Sequence, residues 1–229
     1  MGPLKDIKIF DLTRVLAGPH CTQILGDLGA DIIKIERVET GDDTRKFAPP
    51  YMKDTDGKDT NQSAYFSGTN RNKRSLTLDL SSEEGQSIAR ELISKSDILV
   101  ENFKVGTLKK YNLDYESLKD QFPDLIYCSI TGFGQTGPYA NRPAYDALVQ
   151  AMGGVMSLTG EPDGEPMKVG VSIADLMAGM YATVSILAAL RHRDKTNQGQ
   201  HLDISMLDAH VAWLANQGMN YLATGSNPD

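Results

Sequence analysis

The sequence is poor in the residues that build disulfide frameworks and metal centres. Of its 229 residues only two are cysteine, Cys21 and Cys128. That is too few for a disulfide framework, and they stand too far apart for a zinc site. The four histidines, His20, His192, His201 and His210, fall in no metal-ligand spacing, so no metal is expected. There is one tryptophan, Trp213, set in an apolar stretch that reads as core or interface. No run of eighteen apolar residues occurs, and Met1 to Asp6 does not read as a signal-peptide start. Positive charge is in deficit: 23 Lys and Arg face 30 Asp and Glu, for a formal net charge of -7. This excludes the global field of a nucleic-acid binder, although Arg71, Lys73 and Arg74 form a local basic cluster. The expectation is a soluble cytoplasmic protein with no membrane, nucleic-acid or metal partner.

What is present is an ordinary core composition, 40% hydrophobic and 23% charged, in a length suited to one large domain or two small ones. Ile7–Leu12 reads as a buried strand, Pro19–Gly29 as a helix closed by glycine, and Asp31–Glu36 as a second strand. Arg37–Arg74 is polar and rich in Gly, Pro and Asp, and reads as a long loop. Strands are expected at Ser75–Leu80, Asp97–Glu101, Asp124–Thr131 and Gln200–Ser205. Helices are expected at Glu83–Lys95, Tyr111–Gln121, Tyr145–Met156, Ser172–Arg193 and Leu207–Leu222. The alternation predicts an α/β fold with a parallel sheet and flanking helices.

Glu36 ends the second strand of the first β-α-β unit, where a dinucleotide-binding fold places its ribose-binding acid. The glycine fingerprint is missing, however. The first turn reads Thr13-Arg14-Val15-Leu16-Ala17-Gly18-Pro19, with a single glycine followed by proline. A pyrophosphate needs more glycines and free amides there, so the nicotinamide reading is set aside and Glu36 reads as a solvated strand end.

In the helix after Gly170, Ile173, Leu176, Met177, Met180, Tyr181, Val184, Leu187 and Ala188 recur at helical spacing and form an apolar stripe. Asp175 lies opposite, on a face with the small residues Ala178, Gly179 and Ala182. A small-residue face admits a neighbouring backbone or a ligand. The first helical turn favours an ionised carboxylate, which can act as a nucleophile. A helix-start acid with no further role is the simpler reading of the pattern alone.

The segments Asp11–Pro19, Leu28–Glu36, Asn70–Ser75, Val100–Phe103, Ser129–Pro138 and Ile173–Asp175 together resemble the family III CoA-transferases, a group that includes formyl-CoA transferase and has α-methylacyl-CoA racemase as a relative. The resemblance runs over essentially the whole chain. It implies a Rossmann-like large domain and an interlocked homodimer in the complete protein, with Asp175 as the nucleophile. Acyl-CoA and a carboxylate would be its small-molecule partners, and CoA would be held near Leu16, Ala17, Arg37, Leu78, Asp79, Asn102, Phe103 and Lys110. Arg71, Lys73 and Arg74 would assist; taken singly, each basic residue reads as solvated surface charge. His20, next to the implied CoA turn, reads as lining the site or as a helix-start surface residue.

Two departures bear on the reaction. Formyl-CoA transferase has glutamine where this chain has Leu16, which argues against formyl and oxalate chemistry. The racemase has histidine where this chain has Tyr145, whose ordinary pKa of about 10 suits acid/base work poorly. Transferase-type members carry tyrosine there. Arg14–Pro19, Gly41–Arg45 and Tyr127–Gly132 most resemble the succinyl-CoA–glutarate type, implying a dicarboxylate acceptor with Arg45 as a second cationic contact. The alternatives are an acyl-CoA racemase and a CoA-binding fragment without activity. The resemblance further implies that residues 1–224 form the CoA-binding domain. Residues 225–229, ending in the turn-like Ser226-Asn227-Pro228-Asp229, would begin a linker to a second domain absent from this chain.

Overall fold

The computed structural model describes residues 2–161 and 163–227. Its elements are β1 (Lys8–Asp11), α1 (Ala17–Asp27), β2 (Asp31–Glu36), β3 (Tyr51–Lys53), β4 (Asp59–Ser63), α2 (Ala64–Thr69), β5 (Lys73–Thr77), α3 (Glu83–Ile93), β6 (Ile98–Glu101), α4 (Tyr115–Leu118), β7 (Ile126–Thr131), α5 (Asp146–Met152), α6 (Ile173–Thr196), β8 (Gln200–Ser205), α7 (Met206–Ala212) and α8 (Ala215–Thr224). Six strands form a parallel sheet in the order β5-β2-β1-β6-β7-β8. Counted within the sheet, this is the 3-2-1-4-5-6 order of a doubly wound fold, and it reverses between β1 and β6.

The pleat sends alternate side chains to opposite faces. Ile9, Ile98, Val100, Ile126, Cys128 and Ile130 join Leu25 of α1 and Ala178, Ala182 and Ile186 of α6 in one buried cluster. Phe10, Leu99 and Tyr127 join Ala89 and Ile93 of α3 and Leu118 of α4 in the other. Asp31–Glu36 and Gln200–Ser205 are strands with the expected bounds.

Four expectations are corrected. Arg37–Arg74 is not a bare loop. It holds the β3–β4 hairpin and α2, because Asp54 accepts hydrogen bonds from the amides of Asp56 and Lys58 and closes a tight turn. The helix expected at Tyr111–Gln121 is a 3-10 turn, Leu108–Tyr111, followed by the short α4. They are parted at Asn112, whose φ of 52° leaves the helical region. The segment Tyr145–Met156 is helical only to Met152; Gly154, at φ 90°, separates it from a 3-10 turn at Val155–Leu158. Leu207–Leu222 divides into α7 and α8 at Trp213–Leu214, and Ala215 has a φ of 48°. Of the turn expected at Ser226–Asp229, Pro228 and Asp229 lie outside the described residues.

The faces of α6 are reversed from an ordinary amphipathic helix. Its small residues Ala174, Ala178, Gly179 and Ala182 are buried, while Met180, Tyr181, Val184 and Leu187 of the apolar stripe are 37–59% exposed. A Cβ at Gly179 would stand 2.6 Å from the Ala17 carbonyl oxygen, so α1 and α6 approach closely because this residue has no side chain. This 24-residue helix has the length and hydropathy of a membrane span, yet half of its most apolar window is buried inside the protein.

Charged groups lie buried beneath the turn from β1 to α1. Lys34 Nζ is 2.8 Å from Asp42 Oδ2, both side chains essentially inaccessible, and donates to the Thr13 carbonyl at 2.7 Å. Lys73 Nζ is 3.3 Å from Asp11 Oδ2. Glu36 is 4% exposed, not a solvated strand end. It accepts from Arg45 at 2.6 Å and from the Asp42 amide at 2.9 Å, and these bonds hold its carboxyl down at about 2 against the upward pull of burial. Lys34→Met is expected to lose about 3–5 kcal/mol of stability in urea unfolding, because it leaves Asp42 buried without a counter-charge; a loss below about 1 kcal/mol would show that the pair is dispensable.

Candidate active site

Two cavities open at the carboxyl ends of β1 and β6, where the strand order reverses and doubly wound proteins place their ligands. The larger, about 620 Å³, is lined by residues that include Arg14, Glu36, Arg37, Leu78, Asp79 and Phe103. The smaller, about 310 Å³, is lined by Leu16, Ala17, Asn102, Tyr145, Asp175 and neighbours. Arg14, Phe103 and Lys104 line both and form a common wall.

The wall is tied down from two strands. Asn102, just past β6, accepts from the Arg14 amide at 2.9 Å and donates to the Arg14 carbonyl at 2.7 Å. The Arg14 guanidinium lies 4.6 Å from the centre of the Phe103 ring, within cation–π range. Val15 follows at a φ of 69°. Its strained backbone is held from below, where Asp42 Oδ1 accepts from the Val15 amide at 3.4 Å. Leu16 and Ala17 are thereby presented to the smaller cavity.

Asp175 sits in the first turn of α6, facing that cavity. The free helix-start amides do not keep it ionised, as the sequence suggested. Burial and the charge of Asp146 push its carboxyl up to about 7, and the Ala17 amide only partly offsets them. Asp146 begins α5; it accepts from the Ala174 amide at 2.8 Å and from Gln150 at 2.7 Å, which brings the two acids together at the start of α6.

Nine of the ten residues named from the sequence line one or both of these cavities, Phe103 lining both. Tyr145 lines the smaller one and is 75% exposed. Arg37 lines the larger and is ion-paired with Asp43. Lys110 lines neither cavity, because the 3-10 turn that carries it puts Tyr111 there instead. Arg45 is corrected most plainly: it is paired with Glu36 and stacked 3.7 Å over Phe66, and it lines neither cavity. The basic cluster disperses in the same way. Arg71 pairs with Asp27, Arg74 with Asp31 and buried Lys73 with Asp11. His20 is half-buried on α1 beside Gly179, and burial lowers its basicity, helped by Arg71 and Lys73. Trp213 is 46% exposed.

Sequence reading missed Arg14 and Lys104, the cations of the common wall, and Thr131, a cavity-lining residue whose buried hydroxyl has no partner. Tyr65 of α2 was missed too; its hydroxyl is raised by burial and then by the nearby charge of Asp175. Each comes from a segment distant in sequence from Asp175. No cluster of three or more potential metal ligands occurs among the described residues.

The strand order and the paired cavities at its reversal define the class: a doubly wound α/β protein that can take an elongated ligand across the carboxyl ends of its strands, with an acid at one end. The model of CoA-transferase family III matches residues 4–229, and the chain belongs to that family. It is 53% identical over 226 residues to the succinate–glutarate CoA-transferase of Agrobacterium fabrum, covering 99% of this chain and 56% of that protein. It is 44% identical over 222 residues to the succinyl-CoA:glutarate CoA-transferase of Mus musculus, covering 97% and 49%. The crystal structure of a CAIB/BAIF family protein from Brucella suis superposes with a TM-score of 0.94 at 52% identity, over all of this chain and 59% of that one. The chain thus spans about half the length of the curated relatives it matches.

A carboxyl raised from 3.8 to about 7 makes the folded chain hold a proton that the unfolded chain has released. The stability linked to it is complete below pH 3.8 and is lost as pH rises to 7. Relative to the wild type, Asp175→Asn is expected to gain on the order of 1–4 kcal/mol between pH 4 and pH 8. Urea unfolding at the two pH values measures this, and an equal difference at both would contradict the raised carboxyl.

Proposed function

We propose that the protein transfers CoA from an acyl-CoA donor to a carboxylic acid, with Asp175 as nucleophile and a dicarboxylate as acceptor. The observation that carries this reading is the pair of adjacent cavities that share Arg14, Phe103 and Lys104 as a common wall, with Asp175 facing the smaller. A long ligand with a polar, phosphate-bearing end and a reactive acyl end suits that shape. Arg37 and Lys104 would meet phosphates as charge-assisted donors. Leu78, Asp79 and Phe103 would border the nucleotide, and Leu16, Ala17 and Asn102 the thioester end.

The exchange divides into four balanced steps. The Asp175 carboxylate attacks the donor thioester carbonyl; the carbon–sulfur bond breaks, leaving a mixed anhydride and CoA thiolate. The thiolate attacks the aspartyl carbonyl and releases the donor acid as its carboxylate, forming an aspartyl-CoA thioester. The acceptor carboxylate attacks that thioester, giving a second anhydride and thiolate again. The thiolate then takes the acceptor acyl group and frees Asp175. Each covalent intermediate replaces one difficult step by two easier ones, and an acyl thioester at both ends of the reaction leaves no need for an energy source. Tyr145, beside Asp175, would border the acyl group.

The raised carboxyl of Asp175 fits this chemistry. A carboxylate destabilised by burial and by Asp146 is a readier nucleophile once ionised, and the first turn of α6 lies beside the developing charge. The dicarboxylate is supported by the glutarate in the names of the two relatives and by Arg14 and Lys104 in the same cavity. A homodimer is part of this reading, supported by the exposed apolar stripe of α6 and by Met219, Tyr221 and Leu222 of α8, which are 49–75% exposed. After incubation with succinyl-CoA, mass spectrometry is expected to find a CoA or succinyl adduct on Asp175. Asp175→Ala is expected to remove it and to lower transfer by about a thousandfold or more. A wild-type protein that turns over without any adduct would overturn the covalent route.

A further inference from the structure

Glu101 ends β6, a strand otherwise made of Ile98, Leu99 and Val100. It is 5% exposed; it lines neither cavity at the strand-order reversal but borders a third, of about 450 Å³, with Lys104, Tyr115, Ser129 and His201. A buried carboxyl is costly where an apolar residue would serve the strand, so its bonds must account for it. Glu101 Oε2 accepts from the Phe103 amide at 2.7 Å. Ser129, its neighbour across the β6–β7 register, hydrogen-bonds the same carboxyl, and Ser129 Oγ stands 3.0 Å from His201 Nε2 on β8. The His201 ring is in turn stacked on Tyr115, 4.7 Å between centres.

A line of contacts thus crosses three strands and ends on one amide, that of Phe103. The Phe103 ring carries the Arg14 guanidinium, and Asn102 beside it grips the Arg14 backbone from both sides. Glu101 holds the turn, and the turn holds the wall common to the two cavities.

We propose that Glu101 is a positioning residue that fixes the Asn102–Phe103 turn against Arg14 through the Phe103 amide, and so sets the wall across which CoA lies. The second half rests on the functional reading above; the first stands on the hydrogen bonds alone. Burial, with Asp203 adding to it, pushes the Glu101 carboxyl up to about 7, while Ser129 and the Phe103 amide work the other way. Near neutral pH a glutamine therefore keeps most of its hydrogen bonding, whereas a leucine keeps the volume and supplies no acceptor.

The test compares wild type, Glu101→Gln and Glu101→Leu by residue-resolved amide hydrogen exchange, urea unfolding and calorimetric titration with CoA. Glu101→Leu is expected to unfold at the same or a higher urea concentration, yet to speed exchange at the Phe103 amide and weaken CoA binding by about tenfold each; Glu101→Gln is expected to restore both to within about threefold. Unchanged Phe103 exchange in Glu101→Leu would overturn the proposal. So would a loss of protection shared equally by the amides of β6 and β7, which marks a merely structural role. Altered Phe103 exchange in a protein that binds no CoA supports the positioning role and overturns the CoA reading instead.

Discussion

Asp11, Lys34, Lys73 and Asp42 lie buried together under the turn from β1 to α1, and the shape of the site depends on how they are paired. A charge out of water needs a counter-charge and hydrogen bonds at close range. Here those partners are the turn itself. Asp11 accepts from the Thr13 amide and the Thr22 hydroxyl, Lys34 donates to the Thr13 carbonyl, and Asp42 accepts from the amides of Val15 and Thr44. Burial pulls the Asp11 carboxyl up, but Lys73, Lys34 and the two hydroxyls hold it below its ordinary value. The cluster satisfies its own charge only by fixing Thr13–Ala17 in one conformation, and that conformation presents Leu16 and Ala17 to the cavity.

The same fold treats a second acid in the opposite way. Asp175 makes no ion pair among the described residues; burial and Asp146 make its ionised form unfavourable. Two carboxyls on neighbouring helices and strands are thus driven apart, one held ionised as structure and one held near neutrality in a cavity. Environments that separate like groups in this manner are a common mark of a reactive site. Glu36 belongs with Asp11: Arg45 and Ser75 hold it ionised and buried, which is why Arg45 does not reach the cavity.

Much of the alternation of strand and helix was legible along the chain. Asp31–Glu36 and Gln200–Ser205 alternate or run apolar between clear breakers, and local sequence is enough for such segments. Asp175, Phe103 and Asn102 were legible through the family resemblance, and all three line the smaller of the two adjacent cavities. Residues whose position depends on a distant partner were not legible. Arg45 and the cluster at Arg71–Arg74 read as free cations because their acids, Glu36, Asp27, Asp31 and Asp11, come from other segments. The apolar stripe of α6 was legible as a stripe but not as an exposed one, since helical periodicity reports that a face is apolar without saying what covers it.

By itself the sequence determined the alternation of strand and helix, the want of a glycine fingerprint, and the family to which these motifs belong. These are properties of neighbouring residues: propensity, period and local turn chemistry act within a few positions. Only the tertiary structure decided which cation meets which acid, which face of α6 is buried, and that Asp175 is raised rather than held ionised. The reason is the same in each case. Ion pairing, close backbone approach and desolvation depend on distances in space, and the folded chain sets those distances between segments that the sequence keeps apart.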